Sequence, residues 1–320
     1  MELSIIIVNW NSVDYVRECL SSIYEFTHGP EFEVVVVDNA SSDSNVDDLL
    51  KDFPAIKIAK SAKNLGFAGA NNLGFNNSAG EYVLFLNPDT KLISPAINDL
   101  LAKIRALPDA GVVGCKLLNS DRSTQLSSIQ KFPKILNQVL DIDFLQKRWP
   151  GCPLWDISPL FSEKHGTFKV EMISGACMLL HRPVFAKVGM FSEEYFMYAE
   201  DIDLNYKVHQ SGFQNYYVAS SSIIHHGGGS SSRQSMSQWK TLMKYRAMRM
   251  YYHKMYGRSY EGMYRVSMGF SAALRLILLA IVYPISIVLR RKSAVAGALE
   301  KWRTIFSWAI GVQQITPDEK

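Results

Sequence analysis

Residues 33–38 of the chain read Glu-Val-Val-Val-Val-Asp, and residues 82–89 read Tyr-Val-Leu-Phe-Leu-Asn-Pro-Asp. Each stretch is an apolar run that ends in polar side chains. Ser4–Asn9 (SIIIVN) is a third such run, and Ile56–Lys60 is a weaker fourth. Runs that are apolar on both faces and alternate with helical patterns are typical of buried parallel strands. The sequence therefore predicts an α/β fold with a mostly parallel central sheet and flanking helices.

Polar residues follow three of these runs, at the positions where a sheet of this kind binds its ligands. In open α/β sheets, ligands bind beyond the carboxyl ends of the strands. The residues concerned are Asn9–Asn11, Asp38–Asp43 and Asn87–Asp89. Asn87 and Asp89 are two residues apart, so both can face one metal ion or diphosphate. An ordinary turn that caps the next helix is the favoured interpretation of Asp38–Asp43 taken alone, and a strand-ending turn explains Asn87–Asp89 as well as a binding site does, so the alternatives stay open at this point.

Three further stretches have a chemical explanation, and the last two of them also have a structural one. Asn64–Asn72 has glycines spaced for close backbone approach to a ligand at a helix start. Glu200–Asp203 opens a helix with three carboxylates, which either balance the helix dipole or supply a general base. His225–His226 ends a strand-like run and offers an imidazole to a metal, although surface histidines are often without function.

The order of these segments is more specific than any one of them. VNWN, VVDNASSD, KNLGFAGANNLG, FLNPDT, SGACMLLHR, FMYAEDIDL and IIHHGGGSS follow one another between about Leu3 and Ser232. In this order they resemble the family 2 glycosyltransferases of GT-A fold, and most closely the bacterial rhamnosyltransferase-like branch. The resemblance implies a Rossmann-like GT-A domain over residues 1–230, followed by a second region over residues 231–320.

The resemblance implies a set of residues that bind a nucleotide-sugar donor. They are Val8, Asn9, Trp10, Asp38, Asn39, Asn64, Gly69, Asn71, Asn87 and Asp89. The first three would line the nucleobase pocket, and Asp38 would bind the base with Asn39 beside it. Asn64, Gly69 and Asn71 would line the region of the ribose and diphosphate. Asn87-Pro88-Asp89 matches the family's DxD motif, with Asn87 in place of its first carboxylate.

The resemblance also implies a catalytic set. Asp89 and His225 would bind Mg²⁺ or Mn²⁺, with His226 close enough to leave the choice of histidine open. Asp201 matches the general base, and the acceptor region would include Gly175, Ala176 and Glu200. Lys207 stands where relatives often have arginine, which puts a bidentate contact there in doubt.

These roles imply a metal-dependent, inverting transfer of a sugar from a nucleoside diphosphate. The resemblance favours dTDP-rhamnose as donor and a polyprenyl-linked or polysaccharide acceptor in the synthesis of a cell-surface glycan. Two alternatives remain open. One is a transferase that uses another donor, such as a UDP-hexose, and the other is a non-catalytic nucleotide-sugar-binding module at the membrane.

The charge of the chain is divided unevenly along it. The formal net charge is +4, but residues 1–230 contribute −7 and residues 231–320 contribute +11. Such asymmetry points to nucleic acid or to a membrane. Leu276–Leu289 is apolar all round and is followed by Arg290-Arg291-Lys292, and Ala294–Ile310 carries tryptophans beside basic residues. Nucleic acid leaves the apolar run unexplained, so the sequence predicts a membrane partner instead.

The sequence therefore predicts a helical, membrane-associating tail, with residues 238–310 at the membrane surface and no nucleic-acid partner. A run that starts at Val266 has 24 residues and one arginine, so it either spans the bilayer or lies in it. Four scattered cysteines and a first segment unlike a signal peptide predict a reducing compartment. The expected location is the cytoplasmic face of the cell membrane.

Overall fold

The computed structural model describes residues 1–42, 45–140, 146, 148–149, 151–152, 154–155, 158–227, 237–288 and 292–312. Asp43, the expected boundary near residue 230, and Arg290-Arg291 lie outside these residues. The chain forms two compact units. The first comprises Met1–Phe132, Phe144–Phe196 and Glu200–Ser232, and the second comprises Pro133–Asp143, Met197–Ala199 and Arg233–Lys320.

The described part of the first unit contains a nine-stranded sheet. Its strands are β1 (Leu3–Asn9), β2 (Phe32–Asp38), β3 (Lys57–Lys60), β4 (Tyr82–Leu86), β5 (Thr90–Leu92), β6 (Ala110–Leu118), β8 (Thr167–Val170), β10 (Cys177–His181) and β11 (Gln214–His225). Their order is β3-β2-β1-β4-β10-β6-β11-β5, and β8 pairs with β11. A separate pair joins β7 (Ile129–Gln130) to β9 (Met172–Ile173). The α/β fold and the strands at β1, β2 and β4 are therefore confirmed.

Helices cover both faces of this sheet. They are α1 (Val13–Phe26), α2 (Leu49–Asp52), α3 (Gly66–Asn76), α4 (Ala96–Ala106), α6 (Arg182–Lys187) and α7 (Glu200–Gln210). Successive strand residues point to opposite faces. Accordingly, Ile5 and Ile7 belong to the core that includes Leu20 of α1, whereas Ile6 belongs to the core that includes Ala68 of α3. Burial on both faces explains why the strand runs are wholly apolar.

The strand directions bring distant residues to one edge of the sheet. β1, β2, β3, β4, β6 and β11 run one way, whereas β5, β8 and β10 run the other way. The last residues of β1, β2, β4 and β11 therefore lie at the same edge as the residues that precede β10. β5 starts directly after Asp89 and pairs with the end of β11, with His225 opposite Thr90.

The described part of the second unit is helical. It contains α5 (Ile135–Val139), α8 (Ser237–Tyr256), α9 (Arg258–Val288) and α10 (Lys292–Ala309). Gly257 separates α8 from α9 with a φ of 84°, a conformation that favours glycine. Among the described residues, one stretch, Arg258–Pro284 of α9, is long and apolar enough to cross a membrane. This helix begins well before the apolar run seen in the sequence and continues through Pro284.

Candidate active site

The ends of β1 and β2 carry a cluster of polar side chains that are joined by hydrogen bonds. Asn9 and Asp38 are direct neighbours in the parallel register of the two strands. The side-chain amide of Asn9 donates to Asp38 Oδ1 at 3.1 Å and to Ser41 Oγ at 3.0 Å. Val8 and Trp10 flank Asn9 in the chain and are partly buried. The structure thus brings the predicted nucleobase residues together and fixes their orientation.

Asn39, which directly follows β2, holds the loop at the start of α3. The Asn39 side-chain amide donates to Asn64 Oδ1 at 2.9 Å, and its oxygen accepts from the Leu65 N–H at 2.8 Å. Gly66 opens the helix with a φ of 71°, and a Cβ there would lie 2.1 Å from the Phe196 carbonyl oxygen. Only glycine fits this position. Asn39 and Asn64 therefore shape the loop as well as offering polar atoms to a ligand.

The other two predicted donor residues on α3 are buried in the helix. Gly69 and Asn71 are both buried. Asn71 donates from its side-chain amide to the Phe67 carbonyl at 2.9 Å. In this structure both residues thus serve the packing of α3, and their contact with a ligand stays a prediction.

A carboxylate and an imidazole meet where β4, β5 and β11 converge. Asp89 Oδ1 lies 3.3 Å from His225 Nε2, and the Asn87 side-chain amide nitrogen lies 3.3 Å from the same ring atom. The Asp89 and His225 side chains are 10% and 17% exposed. Thr90 fixes the turn, because its hydroxyl donates to the Asn87 carbonyl at 2.7 Å. The structure therefore brings His225 to Asn87 and Asp89, which precede it by more than 130 residues.

Only one of the two adjacent histidines faces Asp89. His226 Nδ1 pairs with the Ser120 hydroxyl at 2.8 Å, and its Nε2 lies 3.7 Å from Glu18. Its backbone N–H donates to the Asp89 carbonyl at 2.9 Å. Of the two histidines, His225 is thus the one placed as a ligand beside Asp89.

Gln125 holds the His225 ring and was missed in the sequence. Its side-chain oxygen pairs with His225 Nδ1 at 3.0 Å, and its amide nitrogen donates to the His225 carbonyl at 2.5 Å. Because the side-chain oxygen of Gln125 can only accept a hydrogen bond, the ring proton of His225 lies on Nδ1. The lone pair of Nε2 therefore faces Asp89. No motif marks Gln125, since it lies in an irregular stretch a hundred residues before His225.

Asp89 and His225 fit a hard divalent cation that is shared with a substrate. Among the described residues, no group of three or more His, Cys, Asp or Glu side chains is arranged to hold a metal. Mg²⁺ is commonly bound by one or two carboxylates together with substrate phosphates, carboxylate oxygens also suit Mn²⁺, and neutral imidazole is a common metal ligand. Two protein ligands at a partly open edge suit this mode, with Gln125 orienting the imidazole.

The dipeptide Gly175–Ala176 connects the Asn87–Asp89 turn to the predicted general base, Asp201. The Ala176 carbonyl accepts from the Asn87 N–H at 3.0 Å, and the Gly175 N–H donates to Asp201 Oδ2 at 3.0 Å. The Ile202 N–H donates to Asp201 Oδ1 at 2.8 Å. Burial raises the pKa of the Asp201 carboxyl, although the two N–H groups oppose this rise. The carboxylate is thus held in one orientation with its basicity increased.

Glu200 differs from Asp201 because fewer hydrogen bonds stabilise its ionised carboxylate. It is 7% exposed, and Oε2 has no hydrogen-bond partner among the described residues. Burial, followed by the charge of Asp201, raises the pKa of Glu200 to about 8. At neutral pH the structure therefore favours a protonated Glu200, which can donate a hydrogen bond, beside Asp201 as the more acidic of the two carboxyls.

Asp203 and Lys207 have a structural role in the same helix. Asp203 is fully buried and accepts from the Ser192 hydroxyl at 2.6 Å. Lys207 lies 3.2 Å from Asp203 and donates to the Met190 carbonyl at 2.5 Å. These contacts anchor α7 to the loop before it. They explain how a lysine serves at this position without a bidentate contact.

The sheet and the polar residues at its edge are those of a glycosyltransferase domain of GT-A type. The chain belongs to Glycosyl transferase family 2, whose family model matches residues 4–189. This confirms the family seen in the sequence and that the protein is a glycosyltransferase.

Curated relatives support the rhamnosyltransferase-like branch. The N-acetylglucosaminyl-diphospho-decaprenol L-rhamnosyltransferase of Mycobacterium tuberculosis is 28% identical over 227 residues, which cover 68% of this chain and 73% of that protein. The O-antigen biosynthesis protein RfbC of Myxococcus xanthus is 27% identical over 220 residues, 67% of this chain. The matched region is only 16% of the RfbC length, so the chain corresponds to one part of that protein.

A solved structure supports the fold. The mannosyltransferase PcManGT from Pyrobaculum calidifontis, in complex with GDP-Man and Mn²⁺, matches with a TM-score of 0.60 at 15% identity. The match covers 97% of this chain and 86% of that one. At this identity the comparison shows the fold alone, and it shows that such a fold accommodates a nucleotide sugar together with Mn²⁺.

Proposed function

We propose that the chain transfers a sugar, rhamnose from dTDP-rhamnose, to a polyprenyl-linked or polysaccharide acceptor in cell-surface glycan synthesis. One observation carries the proposal. The Gly175–Ala176 dipeptide joins the Asn87–Asp89 turn to Asp201, because the Ala176 carbonyl accepts from the Asn87 N–H and the Gly175 N–H donates to Asp201 Oδ2, each at 3.0 Å. The proposed diphosphate site and the proposed base would thus be held at a fixed spacing. The names of the relatives support rhamnose as the sugar and a decaprenyl-linked acceptor.

The donor would be held by residues at the ends of four strands, β1, β2, β4 and β11. Asn9 and Asp38 offer hydrogen-bonding atoms to the base, and Asn39 and Asn64 border the path of the ribose and diphosphate. Asp89 and His225 would hold Mg²⁺ or Mn²⁺ against the diphosphate oxygens. A bound divalent cation would neutralise the charge that develops on the departing nucleoside diphosphate. The amide of Asn87 adds no charge, so the protein contributes one carboxylate to this site.

Asp201 would act on the acceptor. Its carboxylate removes the proton of the acceptor hydroxyl while that oxygen forms a bond to the anomeric carbon of the sugar. The bond from this carbon to the diphosphate breaks with its electron pair going to the diphosphate. Attack from the side opposite the leaving group inverts the anomeric configuration. The fixed orientation of Asp201 suits one acceptor position, and Glu200 and Gly175 would border it.

The second unit would attach the protein to the cytoplasmic face of the cell membrane. Residues 231–320 carry 15 basic and 4 acidic side chains, and residues 238–310 include the long apolar helix α9. Basic segments are attracted to anionic lipid. An acceptor on a polyprenyl lipid gives this attachment a purpose. Nucleic acid is not proposed as a partner, because it would leave the apolar helix surface uncovered.

Release of the nucleoside diphosphate from a donor panel tests the proposal. We expect turnover of dTDP-rhamnose with Mn²⁺ or Mg²⁺, its loss with a chelator, and a roughly 10²- to 10⁴-fold loss of kcat in Asp201→Asn. Asp14→Asn is the matched control, because Asp14 is an exposed acid in the first turn of α1. Turnover of a UDP-hexose instead would correct the donor. Donor binding without turnover would instead indicate a binding module.

A further inference from the structure

One side of α9 is a continuous apolar stripe that is exposed to solvent. Its members recur every three or four residues, so they share one face of the helix. They are Met263, Val266, Phe270, Leu274, Ile277, Leu278, Ile281 and Val282, and they are between 46% and 74% exposed. At 1.5 Å per residue the stripe is about 28 Å long. An apolar surface of this extent marks an interaction site.

The opposite side of α9 packs within the second unit. Tyr264, Met268 and Ala272 are fully buried. Arg265 donates to the Ala309 carbonyl at 3.0 Å. Arg275 stacks on Trp302 with 4.1 Å between the guanidinium carbon and the ring centroid, and donates to the Val139 carbonyl at 2.9 Å. Both arginines are therefore directed into the protein, and the stripe between Met263 and Val282 carries no charge.

The neighbours of α9 are incompatible with a bilayer crossing. α8 and α10 both pack along α9. Lys244, Arg249 and Lys254 on α8 are exposed, as are Lys301 and Arg303 on α10. A helix that crossed the hydrocarbon would bring these charges with it, which is strongly disfavoured. A helix in the membrane plane would bury only its apolar stripe.

We propose that α9 lies in the plane of an anionic membrane, with the stripe inserted among the lipid acyl chains on one side only. This inference deepens the membrane attachment proposed above and rests on it. Interfacial helices bury an apolar face by about 5–10 Å and gain affinity from basic residues and anionic headgroups. The excess of 15 basic over 4 acidic residues in 231–320 supplies the matching charge. The occupant of the stripe is therefore lipid.

Insertion depth distinguishes a helix in the plane from one that crosses. We would attach an environment-sensitive fluorophore to Val266→Cys, Phe270→Cys, Ile277→Cys and Ile281→Cys in a Cys152→Ser background, in which the other three cysteines are buried. Vesicles of phosphatidylcholine with 30% phosphatidylglycerol would carry quenchers at known depths. We expect one shallow depth at all four positions. A depth that passes through the bilayer centre along the series would overturn the proposal.

Sedimentation with the same vesicles tests the stripe itself. The full-length variant Val266→Asp/Ile277→Asp should lose at least tenfold in vesicle affinity. Ser211→Asp/Ser220→Asp, on exposed serines of the first unit, adds the same charge and should change affinity by less than twofold. Equal losses in both, or a wild-type dimer that the stripe variant dissociates, would overturn lipid as the occupant.

Donor turnover separates this inference from the transferase proposal. Hydrolysis of the donor in solution without vesicles should be the same in the stripe variant and the wild type. Vesicle binding without any turnover would contradict the transferase proposal and leave the membrane proposal for α9 standing. Turnover without vesicle binding would do the reverse.

Discussion

The sheet edge that carries the candidate active site and the exposed stripe of α9 would recognise their ligands in opposite ways. At the edge, each candidate residue is fixed by directional contacts, such as the 3.0 Å bonds that orient His225 and Asp201. On the stripe, eight apolar side chains share one surface, and no direction is specified. Binding at the edge therefore depends on single atoms, whereas binding by the stripe depends on the apolar area that it buries. Single substitutions should therefore have large effects at the edge and small effects on the stripe.

The largest effect is expected at Asp89. Asp89→Asn keeps the shape of the side chain but removes the charge beside His225, so we expect at least a ~10²-fold loss of metal-dependent turnover. The measurement is donor turnover across a Mn²⁺ titration. Asp121→Asn, in an exposed turn, is the control and should behave as wild type. An unchanged Mn²⁺ dependence would remove Asp89 from the metal site.

A smaller effect, a loss of Mn²⁺ affinity, is expected at Gln125, which holds the His225 ring. Gln125→Leu frees His225 to rotate and to change tautomer, which should weaken Mn²⁺ binding by about 10- to 100-fold. Mn²⁺ binding followed by electron paramagnetic resonance in the presence of dTDP gives a readout that is independent of turnover. Gln125→Glu keeps an acceptor for Nδ1 and should recover part of the loss. Gln210→Leu, at the exposed end of α7, is the control.

An intermediate effect is expected where the dipeptide meets the base. A Cβ at Gly175 would lie 3.2 Å from the Asp201 Cβ, closer than ordinary contact. Gly175→Ala should therefore displace the carboxylate by a few tenths of an ångström and lower kcat by roughly tenfold. Donor KM should be unchanged. Gly262→Ala is the control, since a Cβ there meets no atom within 4 Å. Equal kcat in both variants would contradict a fixed base.

The smallest effect is expected from one residue of the stripe. Phe270→Ser removes one of eight members, so vesicle affinity should fall by about fivefold, far less than the loss from two aspartates. Turnover of a soluble donor should not change. A loss of all vesicle binding would show that the stripe acts through a single anchor, and the contrast with the edge would then fail.

Much of the edge could be predicted from the sequence, because strands buried on both faces leave a simple pattern. The runs that end at Asn9, Asp38 and Leu86 became β1, β2 and β4, and their polar ends lie together. Gln125 could not be found in this way. Its role depends on β6 pairing with β11 and on the turn after β6, where the Gln125 N–H donates to the Leu117 carbonyl, so that residues a hundred positions apart meet.

The stripe was hidden for a different physical reason. The buried side of α9 is also apolar, with Tyr264, Met268 and Ala272, so the sequence shows hydrophobicity without direction. The apolar runs at 276–289 and 266–289 indicate a membrane partner, but neither marks the start of the helix at Arg258. Only the packing against α8 and α10 reveals which side remains for lipid.

The pairing of β5 with β11 also sets a time at which the enzyme can first act. His225 follows Asn87 by 138 residues, so a chain growing from its N-terminus makes the carboxylate loop long before the imidazole. At about 5–20 residues per second, the interval is on the order of ten seconds. If Asp89 and His225 bind a cation as proposed, the nascent protein holds only the first part of that site during this interval.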